Sequence, residues 1–392
     1  MRASAAMLAA VFLSGVFLCG CGSGTTVTQC FGCGGLPPLS ATPSITTVAA
    51  KNGAVIVSLT SNASGATILY TVDGSLPDQY SSETITYEAP FLVASNLTVK
   101  AVAIAPGNAA SDAISQSFAP NIPSGTLVWS DEFANSTGAN AQPNPLVWTY
   151  DTGNSGFGNS ELENYCAWGS SAAPCSTVNP NAYVGTDGYL HIVAEQPSAG
   201  VYTSARLKTE GLFSFQYGRI EARIQVPESQ GMWPAFWLLG DNIVTNPWPA
   251  CGEADVMEHI DGSNTPFGGP GTGTAPGYDW IAGSVHGGLS ASAEASLGTD
   301  YPSSASNGFS AASWHTYGMI WTKGQIQYYV DSPTNIYATD STSNFSGAWP
   351  FDQGPMFVIL NLAVGGTWPG SPNAATVFPS QMLVDYVQIY TN

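Results

Sequence analysis

Apolar and polar positions alternate with a period of two along most of this chain, and no long segment carries a helical period. In "AVIVSLT" the alternation puts Val55, Val57 and Leu59 on one face; in "TILYTVDGS" it groups Ile68, Tyr70 and Val72 before an Asp73-Gly74 turn. "NLTVKAVAIAPG" alternates Leu97, Val99, Ala101 and Ala103 up to another turn. Short strands at this spacing over about seventy-five residues predict a small β-sandwich of immunoglobulin type across 45–120. After "APNIPSG" the strands lengthen. "YGRIEARIQVP" sets Ile220, Ala222, Ile224 and Val226 against Arg219, Glu221, Arg223 and Gln225, and "GQIQYYVD" and "MLVDYVQIY" are strand-like too. Roughly 270 residues of strands and Gly/Pro turns, from 124 to 392, predict one large antiparallel sandwich or barrel with little helix.

Composition changes the picture at both ends. Residues 3–18 are an apolar run behind Arg2, too short for a comfortable membrane span, and predict a secretory signal over 1–20. Leu18-Cys19-Gly20-Cys21 resembles a bacterial lipoprotein box, which implies cleavage before Cys21 and tethering to the cell envelope through acyl chains. The outer membrane or the cell surface would be the site of anchoring. Residues 21–44 then read as the lipidated cysteine and a flexible Gly/Ser/Thr/Pro spacer. With 8 Lys+Arg against 27 Asp+Glu, the net charge of −19 repels phosphate backbones and anionic headgroups, which excludes nucleic acid and favours a neutral substrate. A monomer is expected. Export permits disulfides, and Cys166 and Cys175 bracket a loop they can close. Cys30-Phe31-Gly32-Cys33 reads as a local disulfide or as nothing, and Cys251 as a small buried residue.

The chemistry concentrates in "CGEADVMEH", which puts three carboxylates into six positions of a chain that is 9% charged. Glu253 and Asp255 share a strand face; Glu258, five residues after Glu253, points away in a regular strand. A β-bulge at Val256-Met257 would shift the phase by one and return Glu258 to the same face. The outer Cα atoms would then stand about 13 Å apart, and side chains leaning inward can close to the ~5–5.5 Å of retaining glycosidases. Mutual repulsion holds a proton on at least one acid, which gives one ionised carboxylate and one acid. A solvated face fits poorly beside "WPAC" and "VM", and a calcium site prefers loops.

At this point the sequence resembles glycoside hydrolase family 16, in the bulged E-x-D-x-x-E form of its active-site strand. "LVWSDEF", "GNSELENY", "SARLKTEGLFSFQYGRIEARIQVP", "GMWPAFWLLG", "GSVHG", "WHTYGMIWT" and "FVILNLAVGGTWPG" carry the resemblance in order over about 124–392. It implies a concanavalin-like β-jelly-roll with a sugar cleft, Glu253 as nucleophile, Asp255 as its supporting acid and Glu258 as acid/base. Within the family the segments look most like bacterial laminarinases, which implies retaining, endo-acting cleavage of internal β-1,3-glucosidic bonds. One departure is Glu163 in "ELEN", where an amide commonly stands; an acid there alters a contact near the cleft. "YTVDGSLP" with "TVKAVAIAPG" resembles the small C-terminal-type domain of chitobiases. That domain holds none of the 11 Trp, so a spacer is the reading for 45–120.

The resemblance further implies sugar contacts at Trp233, Trp237 and Trp248, whose faces stack on glucose rings, and at Asn159, Arg206, His286 and Trp368. Asp385 shares an apparent strand face with Leu383, Val387 and Ile389, and a carboxylate there needs a partner. The resemblance implies a structural calcium at Asp385 with Glu132 and the Gly188 carbonyl, and no organic cofactor. Rival readings are a mixed-linkage β-1,3-1,4-glucanase, an agarase or carrageenase, or a silent glucan lectin or sensor on the same sandwich; the intact acidic trio argues against the last.

Overall fold

The period-two stretches become strands, and the face each alternation marks as apolar becomes the buried one. The computed structural model describes residues 37–260, 280–301 and 309–392; the expected signal, the segment resembling a lipoprotein box and the Cys30/Cys33 pair lie outside them. One sheet of the small sandwich joins β1 (Ser44–Ala49), β2 (Val55–Thr60) and β5 (Phe91–Val93). The other runs β4-β3-β6-β7, from β3 (Thr67–Thr71), β4 (Ile85–Thr86), β6 (Leu97–Ile104) and β7 (Ile114–Phe118). Between them Val57, Leu59, Tyr70, Val99, Ala101 and Ala103 are buried, and Tyr70 stacks on Phe91 with ring centroids 4.8 Å apart. This sandwich docks on the larger one through main-chain bonds: Leu92 N donates to Ser214 O (3.0 Å), Ser214 N to Pro90 O (2.9 Å) and Lys51 N to Val128 O (3.0 Å). Ala50, Ile56 and Leu92 pack against the larger core, so the small domain is fixed in place.

The larger sandwich has a ten-stranded and a seven-stranded sheet. The ten-stranded sheet follows the path β10 (Glu163–Tyr165), β13 (Val201–Ser204), β12 (Leu190–Ser198), β24 (Ser380–Tyr390), β15 (Gly218–Gln225), β20 (His315–Thr322), β21 (Gln325–Val330) and β22 (Ile336–Ser341). Beside it, β11 (Ala182–Val184) pairs with β12 and β8 (Leu127–Asp131) with β24. The seven-stranded sheet runs β19 (Glu294–Tyr301), β18 (Ile281–Gly288), β17 (Glu253–Glu258), β16 (Met232–Gly240), β23 (Met356–Val364), β14 (Arg206–Lys208) and β9 (Thr149–Asp151). Pairing within it is antiparallel throughout, as the jelly-roll requires. Ile220, Ala222, Ile224 and Val226 fill the space between the sheets as their alternation predicts. Among the described residues helix is confined to the 3-10 turn Ala291–Ala293.

Two details refine the sequence reading. Cys166 and Cys175 form a disulfide, and Cys251 is a buried free thiol. The face assigned to Asp385 is corrected: the buried apolar residues of β24 are Met382, Val384, Val387 and Ile389, and Leu383 lies on the other side. Against β15 the ladder steps from Arg223↔Tyr386 to Ile224↔Val384, so Asp385 is an extra residue in a bulge and sits off the apolar face. Its carboxylate pairs with Arg223 Nη1 at 2.7 Å.

Candidate active site

The acidic strand carries the bulge that its spacing demands. Against β16 the register passes from Trp237↔Asp255 to Phe236↔Met257, and against β18 from Asp255↔Ser284 to Glu258↔Ala282. Val256 is the extra residue, and Val256 and Met257 both enter the apolar core. The phase then restarts, and Glu253, Asp255 and Glu258 all face one cleft. Gly252 opens the strand at φ +84°, where a Cβ would meet Pro350 Cγ at 2.8 Å, so glycine alone fits ahead of Glu253.

The cleft, of about 380 Å³, is lined by the three acids with Phe157, Asn159, Glu161, Arg206, Trp233, Trp237, Trp248 and Asn361 among others. Its acids have unequal surroundings. Asp255 accepts Ser284 Oγ at 2.6 Å and lies 3.3 Å from His286 Nε2, while His286 Nδ1 stands 2.9 Å from Glu294. Both imidazole nitrogens therefore face carboxylates, the arrangement of an imidazolium. Burial disfavours that charge, but Asp255, Glu253 and Glu294 outweigh it and hold the His286 pKa far above the usual range.

Burial and the Asp255 charge raise both glutamates. Glu253 is relieved by His286, Arg206 and a Trp248 hydrogen bond. Glu258 is relieved by His286 and by Trp233, whose Nε1 donates at 2.9 Å, while the Glu253 charge pushes it up further. More positive charge and donors converge on Glu253, so of the pair Glu258 keeps its proton to higher pH. Glu253, Asp255 and His286 bring ligand-type atoms within 4.8 Å of one another, and both His286 nitrogens already face carboxylates.

The residues matched by resemblance fall into two groups. Asn159, Arg206, Trp233, Trp237 and Trp248 line the cleft. Arg206 pairs with Asp151 (Nε–Oδ2 2.9 Å) and lies over the Trp237 ring at 4.6 Å. His286 and Trp368 are not among the cleft-lining residues: His286 braces Asp255 from β18, and Trp368 packs edge-on against Trp233 with centroids 5.3 Å apart.

Comparison with known proteins now decides the family. A model described as glycosyl hydrolases family 16 matches residues 170–388, and one described as Fn3 associated matches 57–118. The chain belongs to glycosyl hydrolase family 16. It is 36% identical over 277 residues to a beta-glucanase of Rhodothermus marinus, covering 68% of this chain and 86% of that protein. It is 33% identical over 293 residues to glucan endo-1,3-beta-glucosidase A1 of Niallia circulans, covering 69% of this chain but 38% of that longer protein. The laminarinase catalytic domain of Thermotoga maritima superposes with a TM-score of 0.54 at 33% identity, over 69% of this chain and 99% of that domain. The endo-beta-1,3-glucanase of Pyrococcus furiosus gives 0.53 at 36%, over 68% and 94%.

Sequence reasoning passed over several residues of this family 16 cleft. Glu161 and Asn361 line it, Ser284 and Glu294 hold Asp255 and His286, and Asp151 anchors Arg206. Asn361 had a readable signal, as the lone amide within the apolar run of β23. Glu163 is fully buried and does not line the cleft; its Oε2 accepts Val364 N at 2.7 Å, so its contact is one layer beneath the surface where it was expected.

The residues expected to hold calcium are placed by β24 and the two strands that pair with its edge. On the edge away from β15, β12 pairs with β24 up to Val384 and β8 takes over from Val387. Asp385 occupies that gap, Gly188 precedes the start of β12 and Glu132 follows the end of β8. Glu132 already accepts Gln388 Nε2 at 3.0 Å and Asp385 already holds Arg223, so neither carboxylate is without a partner.

Proposed function

We propose that this chain is a retaining endo-β-1,3-glucanase acting on laminarin-type glucans. The observation that carries the reading is the Val256 bulge, which puts two glutamates of unequal basicity on one wall of an aromatic cleft in a family 16 sandwich. Trp248 and Trp237 offer faces to successive glucose rings, and strand β14 contributes Arg206 to the floor.

The roles follow from the donors around each acid. Glu253 attacks the anomeric carbon while Glu258 gives its proton to the departing glycosidic oxygen, which breaks the bond and forms a glycosyl-enzyme ester. Glu258, now ionised, takes a proton from water as that water attacks the same carbon; Glu253 leaves and the configuration is retained. Asp255, tied to Ser284 and to His286, stands beside both glutamates without occupying the reacting position. Trp233 Nε1 fixes the Glu258 carboxyl against the leaving group.

A reducing-sugar assay on laminarin, lichenan, barley β-glucan, agarose and carrageenan tests the reading. Laminarin should be cleaved fastest and yield a ladder of oligosaccharides. Glucose alone from the first minutes, or lichenan well ahead of laminarin, would overturn it.

The anchoring of an exported lipoprotein at Cys21 is proposed on the lipoprotein-box resemblance, and mass spectrometry of the native N-terminus tests it. A structural calcium at Asp385, Glu132 and Gly188 is proposed on the family resemblance; the start of β12 and the end of β8 flanking the β24 bulge support it, while the Arg223 and Gln388 contacts are what an ion would have to displace.

A further inference from the structure

A buried chain of hydrogen bonds beneath the cleft has an acceptor too many. Trp237 Nε1 donates to Asn361 Oδ1 (2.7 Å), Asn361 Nδ2 to Tyr165 Oη (3.3 Å), and the Tyr165 hydroxyl to Glu161 Oε2 (2.8 Å). Glu161 Oε1 accepts Asn159 Nδ2 at 3.1 Å, so Glu161 takes a donor at each oxygen, as an ionised carboxylate does. Three members of this chain, Glu161, Asn361 and Trp237, line the cleft directly.

The anomaly is Glu163. Its Oε2 takes the Val364 amide, while Oε1 is sealed from solvent and meets no donor. Its neighbour two residues back along the chain is Glu161, whose carboxylate lies close enough for its charge to act on Glu163. Two acceptors cannot bond each other without a proton between them, and a buried, unpartnered anion is costly.

We propose that Glu163 is a positioning residue that carries a proton and donates it to Glu161, holding the Glu161–Tyr165–Asn361–Trp237 chain in the shape that receives the glucan. Its effect on substrate rests on the glucanase reading; its effect on the fold does not. The groups around it agree. β10 itself presents Tyr165, β14 brings Arg206 toward Tyr165, β13 offers Tyr202 opposite Glu163, and β23 offers the Val364 amide. Glu161 is the charge that faces it. Burial first, then the Glu161 hydrogen bond and charge, push Glu163 up to about 8, so the proton is present at neutral pH and leaves in mildly alkaline solution.

The test is Glu163→Gln, which makes the donor permanent, beside Glu163→Leu, which removes it. In wild type the KM for laminarin should rise about fivefold from pH 6 to pH 9, and in the Gln variant less than about twofold. Other titrating groups are common to both proteins, so the difference belongs to Glu163. The Leu variant should show the raised KM already at pH 6.

Melting reads the same proton without substrate. A folded pKa near 8 against an ordinary 4.5 gives stability that is complete below about 4.5 and is lost as pH rises through 8. Wild type should therefore fall behind the Gln variant by several degrees between those pH values. Should Glu163→Gln fail to fold, Glu161→Gln removes the facing charge and should shrink wild type's melting loss, leaving the part that burial alone produces. Superimposable pH profiles and melting curves for wild type and Glu163→Gln overturn the proposal. Failure to cleave laminarin at any pH, with the melting difference present, overturns the glucanase reading alone.

Discussion

β17 and β24 each carry one extra residue, and the two bulges do opposite work. In β17 the extra residue is apolar Val256, which goes into the core and thereby brings a carboxylate out into the cleft. In β24 the extra residue is Asp385 itself, which the bulge lifts off the buried face while Val384 and Val387 keep the core filled. The first bulge spends an irregularity to converge three like charges; the second spends one to keep a charge out of the interior. Position in the sheet decides between them. β17 lies inside the seven-stranded sheet with partners on both sides, so its shift appears in both ladders. β24 shows its shift on the β15 side, where the opposite edge changes partner from β12 to β8.

Deleting the extra residue from each strand is the strongest way to break that contrast. Removal of Val256 should turn Glu258 toward the core, abolish laminarin hydrolysis and lower the melting temperature. Removal of Asp385 should lower the melting temperature while the residual folded fraction keeps its kcat. Loss of kcat in both, measured on folded protein, would erase the distinction.

Within β17 the outer acids separate by chemistry. Glu258→Gln should lose about 10³-fold in kcat/KM on laminarin, yet release a β-glycosyl azide from an activated aryl β-glucoside oligosaccharide when azide is added. Glu253→Gln should be inactive on both substrates. A β-azide from the Glu253 variant alone would reverse the two roles.

The β17 bulge was legible in the sequence and the β24 bulge was not, for a physical reason. A phase error in "GEADVMEH" strands a glutamate in the core, so the spacing of the acids itself demands an insertion. "MLVDYVQIY" tolerates a regular reading, because Leu383 looks as well suited to a core as Val384 does. The sandwiches and the Trp-lined cleft were legible through alternation and motif. The supports of the acids were not: Ser284, Glu294 and Asp151 reach the site through cross-strand register that no local pattern encodes.

A buried acid away from both bulges sharpens the comparison. Asp241 follows β16, and burial pushes its carboxyl up to about 7, with a Ser214 hydrogen bond opposing and the Glu88 and Glu210 charges adding. Against an ordinary 3.8, its contribution to stability is complete below about 3.8 and lost as pH rises through 7. Asp241→Asn should melt progressively above wild type across that window, reaching a few degrees by pH 8. A constant offset would assign the effect to packing.

The smallest effect belongs to the β24 ion pair. Asp385 and Arg223 are each about one-third exposed, so screening leaves their attraction at roughly 0.5 kcal/mol. Asp385→Asn should therefore shift melting by a degree or two in chelator. A larger gap that opens only when calcium is added would place the ion there; identical curves with and without calcium for both proteins would remove it.

Cys251 stands two residues before Glu253, sealed among Leu239, Phe357 and Ile359, and burial pushes its thiol up to about 12. A thiol so hidden and so fully protonated is chemically silent while the strand is closed. It reacts only when β17 parts from its neighbours. Peptide-resolved alkylation of Cys251 in native buffer thus works as a clock for the breathing of the catalytic strand. Occupancy of the cleft by a long glucan should slow that clock without touching the sulfur.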